Sequence, residues 1–355
     1  MAEEAGRPEG LDAFFKARSV AVIGASTKPG KIGHEILRNL ALYEYKGRVY
    51  PVNPRAEEIL GLRCYPSVLD IPDEVDLAVI AVASEATPRV VEECGRKGVR
   101  AIVIVSGGFK ELGGKYEDIE AEVVRIARRY NMRIIGPNCI GVFDGETRLD
   151  TFFQSRERML RPPKGPVAFM TQSGTFGCTM LEWAAEAGLG ISKFVSYGNR
   201  CDVDEADLIR YFGRDPETKV IAIYLEGLSD GRRFMEAARE VAPEKPIVVL
   251  KAGRTEAGSR AALSHTGWLA GEAAIYDAAF RQCGVIQARN FEELFDMVKA
   301  LALQPPARGP RVAMVTNGAG PCVMAADACV ERGLLLADYE QRTVELLREK
   351  LPPFC

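Results

Sequence analysis

One arrangement occurs three times along this sequence: an apolar strand, a short turn of small residues, and then the start of a helix. The three copies are SVAVIGASTKPGKIG from Ser19, GPVAFMTQSGTFG from Gly165 and RVAMVTNGAGPCVMAA from Arg311. The first strand of a doubly wound sheet commonly has this form. Short β-rich runs alternate with helical patterns over nearly the whole chain, which favours βαβ units and parallel sheets. The sequence therefore predicts an α/β fold with three such domains.

Two proline-rich segments separate the predicted domains. RERMLRPPKGP covers 156–166 and LQPPARGP covers 303–310, and clusters of proline and glycine are typical of linkers. We expect domains over 1–150, 151–302 and 303–355. The third has room for only two strand–helix pairs, which make an incomplete doubly wound sheet. We therefore expect this third α/β domain to be partial, either cut short or completed by a partner.

Ten strands are predicted in the first two domains. In the first domain they lie near 19–23, 48–51, 76–82, 100–105 and 133–135. In the second domain they lie near 167–171, 192–196, 219–225, 246–250 and 285–287. The strand–helix pairs of the third domain are predicted over 311–333 and 334–350. Because open α/β sheets bind ligands outside the carboxyl ends of their strands, the residues that follow each strand are the candidates for binding.

The composition argues against several classes of protein. A formal net charge of −3 gives no electrostatic basis for binding nucleic acid or an anionic membrane. The longest apolar run, 75–83, is far shorter than the roughly 20 residues of a membrane span, and the acidic N-terminus does not have the form of a signal peptide. Nine scattered cysteines without a CxxC pair fit a reducing cytoplasm. With only two histidines, a metal site built by this chain is not expected.

The turn after the first strand, GASTKPGKIG, suits a phosphate group. Backbone N–H groups and the dipole of the following helix both attract an anion there. The dinucleotide fingerprint G-x-G-x-x-G is not met, because Ser26 replaces the second glycine and Pro29 the third, and Gly33 closes a longer loop. A nicotinamide dinucleotide is therefore disfavoured, whereas an adenine nucleotide is not. The second strand is followed by Arg55 in place of an acidic residue, which favours a ligand with an extra phosphate on its ribose.

Two further strand ends in the first domain carry small polar residues. VIVSGGFKELGG contains Ser106, Gly107 and Gly108, and RIIGPNCIGVF contains Gly136, Pro137 and Asn138. Glycines at such positions let the backbone approach a ligand closely. These two loops are also compatible with ordinary turns.

The second domain combines an anion site with a carboxylate and a histidine. Ser173, Gly174 and Thr175 open a helix, where a serine acts as an N-cap and the backbone suits an anion. Glu226 follows a strand, and His265 lies in the small-residue loop SHTGWLAG. A carboxylate within reach of an imidazole would fix its tautomer. With no G-x-S-x-G elbow and no Walker lysine motif, this set indicates a phosphorylated histidine. A second helix end or a partner domain is also expected, because one helix terminus stabilises an anion weakly.

These motifs, in this order, resemble the α side of the NDP-forming acyl-CoA synthetases, including ADP-forming acetyl-CoA synthetase, and more distantly the succinyl-CoA synthetase α subunit. The resemblance covers nearly the whole chain. It implies a Rossmann-like CoA-binding domain, a flavodoxin-like domain of the succinyl-CoA synthetase type and the start of a ligase-CoA domain. SHTGWLAG is similar to the phosphohistidine loop, GPNCIG and SGGFKELG to the surroundings of CoA and the acyl phosphate, and TNGAGPCVMAADAC to the opening of the third domain.

The resemblance implies a role for each matching residue. His265 would accept the phosphoryl group with Glu226 as its partner. The residues that would cradle this group are Ser173, Gly174 and Thr175. The residues that would bind CoA or line its reacting thioester are Gly24, Ala25, Ser26, Lys31, Asn53, Pro54, Arg55, Ser106, Gly107, Gly108 and Asn138. Trp268 stands where the family usually has a small residue.

The implied reaction converts acyl-CoA, NDP and phosphate into a carboxylic acid, NTP and CoA. Its intermediates are an acyl phosphate and a phosphohistidine on a swinging loop. The sequence holds no ATP-grasp domain, so we expect ADP or ATP, with Mg²⁺, to bind a β-type partner subunit or domain in an oligomeric cytoplasmic enzyme. The residues do not indicate the acyl group or the choice between ADP and GDP.

Two other hypotheses stay open at this point. The chain could be a non-catalytic CoA-binding or regulatory module, although such a module has no use for His265 and Glu226. An NAD(P)-dependent dehydrogenase is less favoured, because the fingerprint glycines are substituted and no convincing acid for hydride transfer is present.

Overall fold

The computed structural model describes residues 10–258, 260 and 272–352. The chain divides between Leu303 and Gln304 into two compact units. No helix in the described ranges is long and apolar enough to cross a membrane.

The first part of the larger unit contains a five-stranded parallel sheet and a small hairpin. Its strands are β1 (Ser19–Ile23), β2 (Arg48–Val52), β3 (Glu58–Ile59), β4 (Leu62–Arg63), β5 (Leu77–Ile80), β6 (Ala101–Ile104) and β7 (Arg133–Ile135). The first sheet has the order β2-β1-β5-β6-β7, and β3 pairs with β4 as the hairpin. β1, β5 and β6 are buried over their whole length, as expected for central strands that helices cover on both faces.

The first helix of this part precedes the sheet, and each of the other three follows a strand and turns one apolar face to the sheet. The helices are α1 (Asp12–Phe15), α2 (Ile32–Ala41), α3 (Thr87–Lys97) and α4 (Lys115–Arg129). In α3 the buried residues Val90, Val91 and Cys94 recur at helical spacing, and the helix ends at Gly98 in the left-handed conformation, a common helix terminator.

The second part of the same unit is built around a six-stranded sheet. Its strands are β8 (Gly141–Asp144), β9 (Lys164–Thr171), β10 (Ile191–Ser196), β11 (Val220–Leu225), β12 (Ile247–Lys251) and β13 (Ile286–Ala288). Its helices are α5 (Gly174–Glu186), α6 (Glu205–Arg214), α7 (Gly231–Val241), α8 (Ala273–Gln282) and α9 (Phe291–Leu303). The order of this second sheet is β13-β12-β11-β9-β10-β8, in which β8 is antiparallel to β10. Counted along the chain, the parallel strands of both sheets have the order 2-1-3-4-5, which is that of flavodoxin.

The predicted α/β fold class is confirmed, and all ten predicted strands are present. Strand β8 and the β3–β4 hairpin were not predicted, because segments of two to four residues are too short to show a strand pattern. The domain boundaries placed at 150 and 302 stay predictions.

A five-residue segment, 136–140, joins the two sheets. It leaves the first sheet at the carboxyl end of β7, which is parallel to its neighbours. It enters the second sheet at Gly141, which pairs with Ser196 at the carboxyl end of β10. The segment therefore brings together the two sheet edges at which α/β proteins bind their ligands.

One hydrophobic cluster runs through both sheets. It includes buried side chains of β1 and β5 in the first sheet together with those of β9 and β11 in the second. Between them, the ring of Phe15 in α1 stacks on Tyr211 of α6 at a centroid distance of 5.2 Å. The Tyr211 hydroxyl donates a hydrogen bond of 2.7 Å to Asp12. The two sheets thus share a core.

The smaller unit contains a single βαβ arrangement and a final helix. Its elements are β14 (Arg311–Val312), α10 (Ala319–Glu331), β15 (Leu335–Leu336) and α11 (Gln341–Lys350). β14 and β15 are parallel, so both predicted strand–helix pairs are present.

Candidate functional site

The loop after β1, predicted to bind CoA, lies very close to the start of α2. A Cβ atom on Gly33 would lie 2.0 Å from the Gly24 carbonyl oxygen. Only glycine therefore allows this approach of helix and loop. Ala25 is buried within the loop, and Lys31 is the exposed residue immediately before α2. The predicted phosphate-binding turn therefore opens a helix, as the sequence indicated.

Two side chains of α2 form hydrogen bonds with the backbone of this loop. His34 is buried, and its Nδ1 lies 2.7 Å from the Ser26 carbonyl oxygen. Because a carbonyl oxygen only accepts hydrogen bonds, Nδ1 carries the proton and donates it. Glu35 Oε1 accepts a hydrogen bond of 2.8 Å from the Gly30 N–H. His34, which the sequence analysis did not single out, therefore has a structural role in the predicted CoA loop.

The loop after β2 is tied to the loop after β1 by Asn53. The Asn53 side chain donates to the Ala25 carbonyl oxygen at 2.7 Å and accepts from the Arg55 N–H at 2.8 Å. Pro54 and Arg55 are exposed. These contacts bring the predicted CoA residues of the two loops together and leave the Arg55 guanidinium accessible to a phosphate.

The loops after β6 and β7 also contact each other. The Asn138 N–H donates to the Ser106 carbonyl oxygen at 2.9 Å. In the first of these loops, Glu111 Oε1 accepts from the N–H groups of Gly108 at 2.6 Å and Phe109 at 3.2 Å. The predicted thioester residues therefore form one continuous backbone surface, with Gly107 and Asn138 exposed on it.

Asn138 and the turn Ser173–Thr175 line a single cleft of ≈ 480 Å³. The other lining residues are Val105, Cys139, Ile140, Phe153, Gln154, Gln172 and Cys178. Ser173 is the N-cap of α5, and its Oγ accepts from the Phe176 N–H at 3.3 Å. A Cβ atom on Gly174 would lie 2.8 Å from Ile140 Cγ2, so a glycine lets α5 approach the connecting segment. The cleft thus joins residues predicted for the thioester with residues predicted for the phosphoryl group.

Glu226 lies at the switch point of the second sheet, where the strand order reverses between β9 and β11. It is 7% exposed, and Gln172 positions the turn that carries it. The Gln172 side chain accepts from the backbone N–H groups of Glu226 and Gly227, and it donates to the Gly227 carbonyl oxygen at 2.8 Å and to Glu205 at 2.9 Å. Since Gln172 also lines the cleft, Glu226 is tied to the same site.

Two buried cations surround the turn that carries Glu226. Lys251 Nζ donates to the Glu226 carbonyl oxygen at 2.8 Å and to that of Ala252, and it lies 4.6 Å from the centre of the Tyr276 ring. Burial, assisted by the charge of Arg254, lowers the pKa of Lys251 to about 8. The guanidinium of Arg200 donates to the Gly227 carbonyl oxygen and to Glu205.

Two acidic groups beside this turn have raised pKa values. Burial raises the pKa of Glu205, although the Arg200 charge opposes it. Burial, together with the neighbouring Glu226, raises the pKa of Tyr224 to about 12. Tyr224 is therefore neutral at physiological pH. Together with Lys251 and Arg200, Glu205 and Glu226 give this edge of the second sheet both buried cations and buried carboxylates.

His265, which the sequence predicts to be catalytic, lies outside the described residues, as does Trp268. Sequence reasoning missed Gln172, Arg200 and Lys251, although each is at or just after the carboxyl end of a parallel strand. That position was the available signal, because such ends form the binding edge. Among the residues that the structure describes, no group of three or more His, Cys, Asp or Glu side chains could hold a metal ion.

Two family models match the chain. One, described as a CoA binding domain, matches residues 18–144, and the other, a succinyl-CoA ligase-like flavodoxin domain, matches residues 164–301. The first range contains the five-stranded sheet and also strand β8, and the second range contains the other five strands of the second sheet.

Curated relatives and solved structures match nearly the whole chain. It is 47% identical to the α subunit of acetate–CoA ligase (ADP-forming) I from Pyrococcus furiosus over 97% of this chain and 74% of that subunit. It is also 47% identical to acetate–CoA ligase (ADP-forming) I from Archaeoglobus fulgidus over 96% of this chain. The chain spans about half, 49%, of this longer relative.

A solved structure agrees with these sequence comparisons. The dinucleotide-forming acetyl-coenzyme A synthetase 1 of Ca. Korarchaeum cryptofilum, in complex with phosphate and ADP, superposes with a TM-score of 0.91 at 44% identity. The match covers 97% of this chain and 74% of that one. The chain therefore belongs to the family of the ADP-forming acetate–CoA ligases, within the NDP-forming acyl-CoA synthetases.

Proposed function

We propose that this chain is the α part of an ADP-forming acyl-CoA synthetase, which acts together with an ATP-grasp partner subunit or domain. The observation that carries the proposal is the cleft in which Asn138, from the CoA-binding side, meets the helix start Ser173–Thr175. Glu226 is tied to the same cleft through Gln172. A thioester and a phosphoryl group bound at these two edges would lie next to each other.

In the first step the first sheet binds acyl-CoA. The loops that start at Gly24 and Asn53 hold the nucleotide end, with Arg55 on a phosphate, and the thioester reaches the Ser106–Gly108 loop and Asn138. An oxygen of HPO₄²⁻ attacks the thioester carbonyl carbon, and the C–S bond breaks. The proton of the phosphate passes to the departing thiolate, so the products are an acyl phosphate and CoA with a free thiol.

In the second step the phosphoryl group passes to His265. One imidazole nitrogen attacks the phosphorus, the bond between phosphorus and the acyl oxygen breaks, and the carboxylate leaves. The Glu226 carboxylate holds the N–H of the other ring nitrogen and so fixes the tautomer. The first N–H groups of a helix have no acceptor in the preceding turn. In α5 the Phe176 N–H donates to Ser173 Oγ, and the N–H groups of Gly174 and Thr175 stabilise the phosphoryl oxygens. The positive charge of the buried Lys251 ammonium group also stabilises these negatively charged oxygens.

In the third step the phosphohistidine transfers its phosphoryl group to ADP, and ATP forms. We place ADP and its Mg²⁺ on the partner. The relatives support this assignment, because they are either named α subunits or longer single chains.

The test is phosphorylation of the protein in complex with its partner. Incubation with acyl-CoA and ³²P-labelled phosphate should give an acid-labile, base-stable label, and His265→Ala should abolish it. Because the sequence contains only two histidines, mapping of the labelled peptide distinguishes His265 from His34. A label that survives His265→Ala, or that maps to His34, contradicts the mechanism. CoA binding without any label would instead support a non-catalytic CoA-binding module.

A further inference from the structure

The loop after β10 contacts both halves of the candidate site through adjacent residues. Backbone bonds fix it on the connecting segment, because the Asn199 N–H donates to the Pro137 carbonyl oxygen at 2.9 Å and the Cys201 N–H to that of Gly136 at 3.1 Å. The Arg200 side chain turns to the second sheet, where it bonds to the Gly227 carbonyl oxygen beside Glu226. The Asn199 side chain turns to the first sheet.

Asn199 contacts two carboxylates that follow strand β6, one in the loop and one in α4. Its side-chain Nδ2 donates to Glu111 Oε2 at 2.6 Å and to Glu120 Oε2 at 3.0 Å. Each carboxylate also accepts backbone N–H groups from the loop that contains the predicted thioester residues. Glu111 accepts from Gly108 and Phe109, as described above, and Glu120 accepts from the Lys110 N–H at 3.3 Å.

Three successive backbone N–H groups, those of residues 108–110, are therefore oriented by two carboxylates that one amide holds together. A neutral amide suits this position. It donates both of its protons to the carboxylates, and their remaining lone pairs stay available to the backbone. Burial raises the pKa of Glu120, and the hydrogen bond from Asn199 opposes that effect.

We propose that Asn199 is a positioning residue, which fixes the Ser106–Gly108 loop against the second sheet and so aligns acyl-CoA with the phosphate site. This inference rests on the proposed function. It assigns Asn199 to the acyl-CoA half of the reaction and not to the nucleotide half, because its side chain bonds to Glu111, Glu120 and Asn138, which follow strands β6 and β7 of the first sheet. An aspartate at this position would lose both donors and add a third carboxylate to the pair.

The experiment compares the two routes to the phosphoenzyme in the complex with the partner. One route uses acyl-CoA and labelled phosphate, and the other uses γ-labelled ATP. For Asn199→Asp and Asn199→Ala we expect labelling from acyl-CoA to slow by about tenfold or more, since each variant loses two hydrogen bonds to charged groups. The KM for acyl-CoA should rise as well. Labelling from ATP should stay within about twofold of wild type, since Asn199 does not contact that half.

The matched control is Asn131→Asp, the same substitution at an exposed residue. Asn131 lies between α4 and β7, at the amino edge of the first sheet and away from the carboxyl edge that binds ligands. It should leave both routes unchanged. Equal slowing of both routes in Asn199→Asp would indicate a general structural defect and overturn the inference, as would an unchanged acyl-CoA route. A wild-type complex that is labelled by neither route would overturn the proposed function itself, and this inference with it.

Discussion

Lys251 shows how a single buried residue beside the candidate site can make the stability of the protein depend on pH. Its side chain is fully enclosed at the end of β12, with a relative exposure of 2%, and two carbonyl oxygens accept its hydrogen bonds. Two carbonyl oxygens replace only part of the hydration that the ammonium group loses on burial, so burial still disfavours the charged form. The lowered pKa of about 8 is the consequence.

We predict that Lys251 makes stability depend on pH above about 8. Between the folded pKa of about 8 and the ordinary value of 10.5, the unfolded chain binds more protons than the folded chain, so stability rises with pH. Below this window both states are protonated, and the cost of burial is fully present. The free energy of unfolding of wild type minus that of Lys251→Met should therefore grow by about 3 kcal/mol from pH 8 to pH 10.5.

Urea denaturation of both proteins at several pH values measures this difference. The subtraction removes the contribution of the titratable groups that the two proteins share. Lys299→Met changes an exposed lysine of α9 and should give a curve parallel to that of wild type. A parallel curve for Lys251→Met would show that the buried ammonium is not destabilised.

Sequence reasoning identified residues of the site better than it identified their contacts. The turn after β9 that carries Ser173 and the segment after β7 that carries Asn138 have local signatures, and both were predicted to bind. That they line the same cleft depends on strand β8, which has no such signature and leads the chain from segment 136–140 into the second sheet. Gln172 and Asn199 were missed because they act by bonding to other residues, and such partners are distant in sequence.

The first turn of α5 combines a helix cap with the predicted phosphate site. We predict that Ser173→Ala lowers the free energy of unfolding by about 1 kcal/mol, because the Phe176 N–H loses its acceptor. The same change should slow labelling from acyl-CoA and phosphate, whereas Ser173→Thr keeps a hydroxyl and should preserve most of both properties. Chemical denaturation and the labelling assay give the two values.

The matched control for α5 is the cap of α9. The Asn290 side chain accepts from the Glu293 N–H at 2.8 Å, and it follows β13, the edge strand farthest in the sheet order from β10 and β8. Asn290→Ala should cost a similar free energy and leave labelling unchanged. If both variants reduce labelling equally, the effect of Ser173 is one of stability alone.

The strands were predictable because buried parallel strands read as continuous apolar runs, as in VIAIYL of β11. Strand β8 was not predictable, because its edge position comes from pairing with β10. The paired residues are 49 to 55 positions apart in the chain, from Asp144 with Lys193 to Gly141 with Ser196. A four-residue segment gains its structure from such tertiary pairing and not from local preference.

In the larger unit as a whole, the core that the two sheets share helps to maintain the candidate site. One hydrophobic cluster includes buried residues of both β1 and β9, and Phe15 and Tyr211 pack across the junction. Elements that share a core generally unfold cooperatively. The cleft between the two carboxyl edges is then maintained by the stability of the unit as a whole.

We therefore predict that a cavity in the first sheet destabilises the second sheet equally. Ile102 lies in β6 with no exposed surface, in the cluster formed by the first sheet. Ile102→Ala should cost about 2–5 kcal/mol. Hydrogen exchange followed by mass spectrometry should show the same loss of protection in β9 and β11 as in β5. Leu347→Ala, in α11 of the smaller unit, should leave these strands unchanged. Faster exchange confined to the first sheet would show that the two sheets unfold separately, in which case the cleft could open without global unfolding.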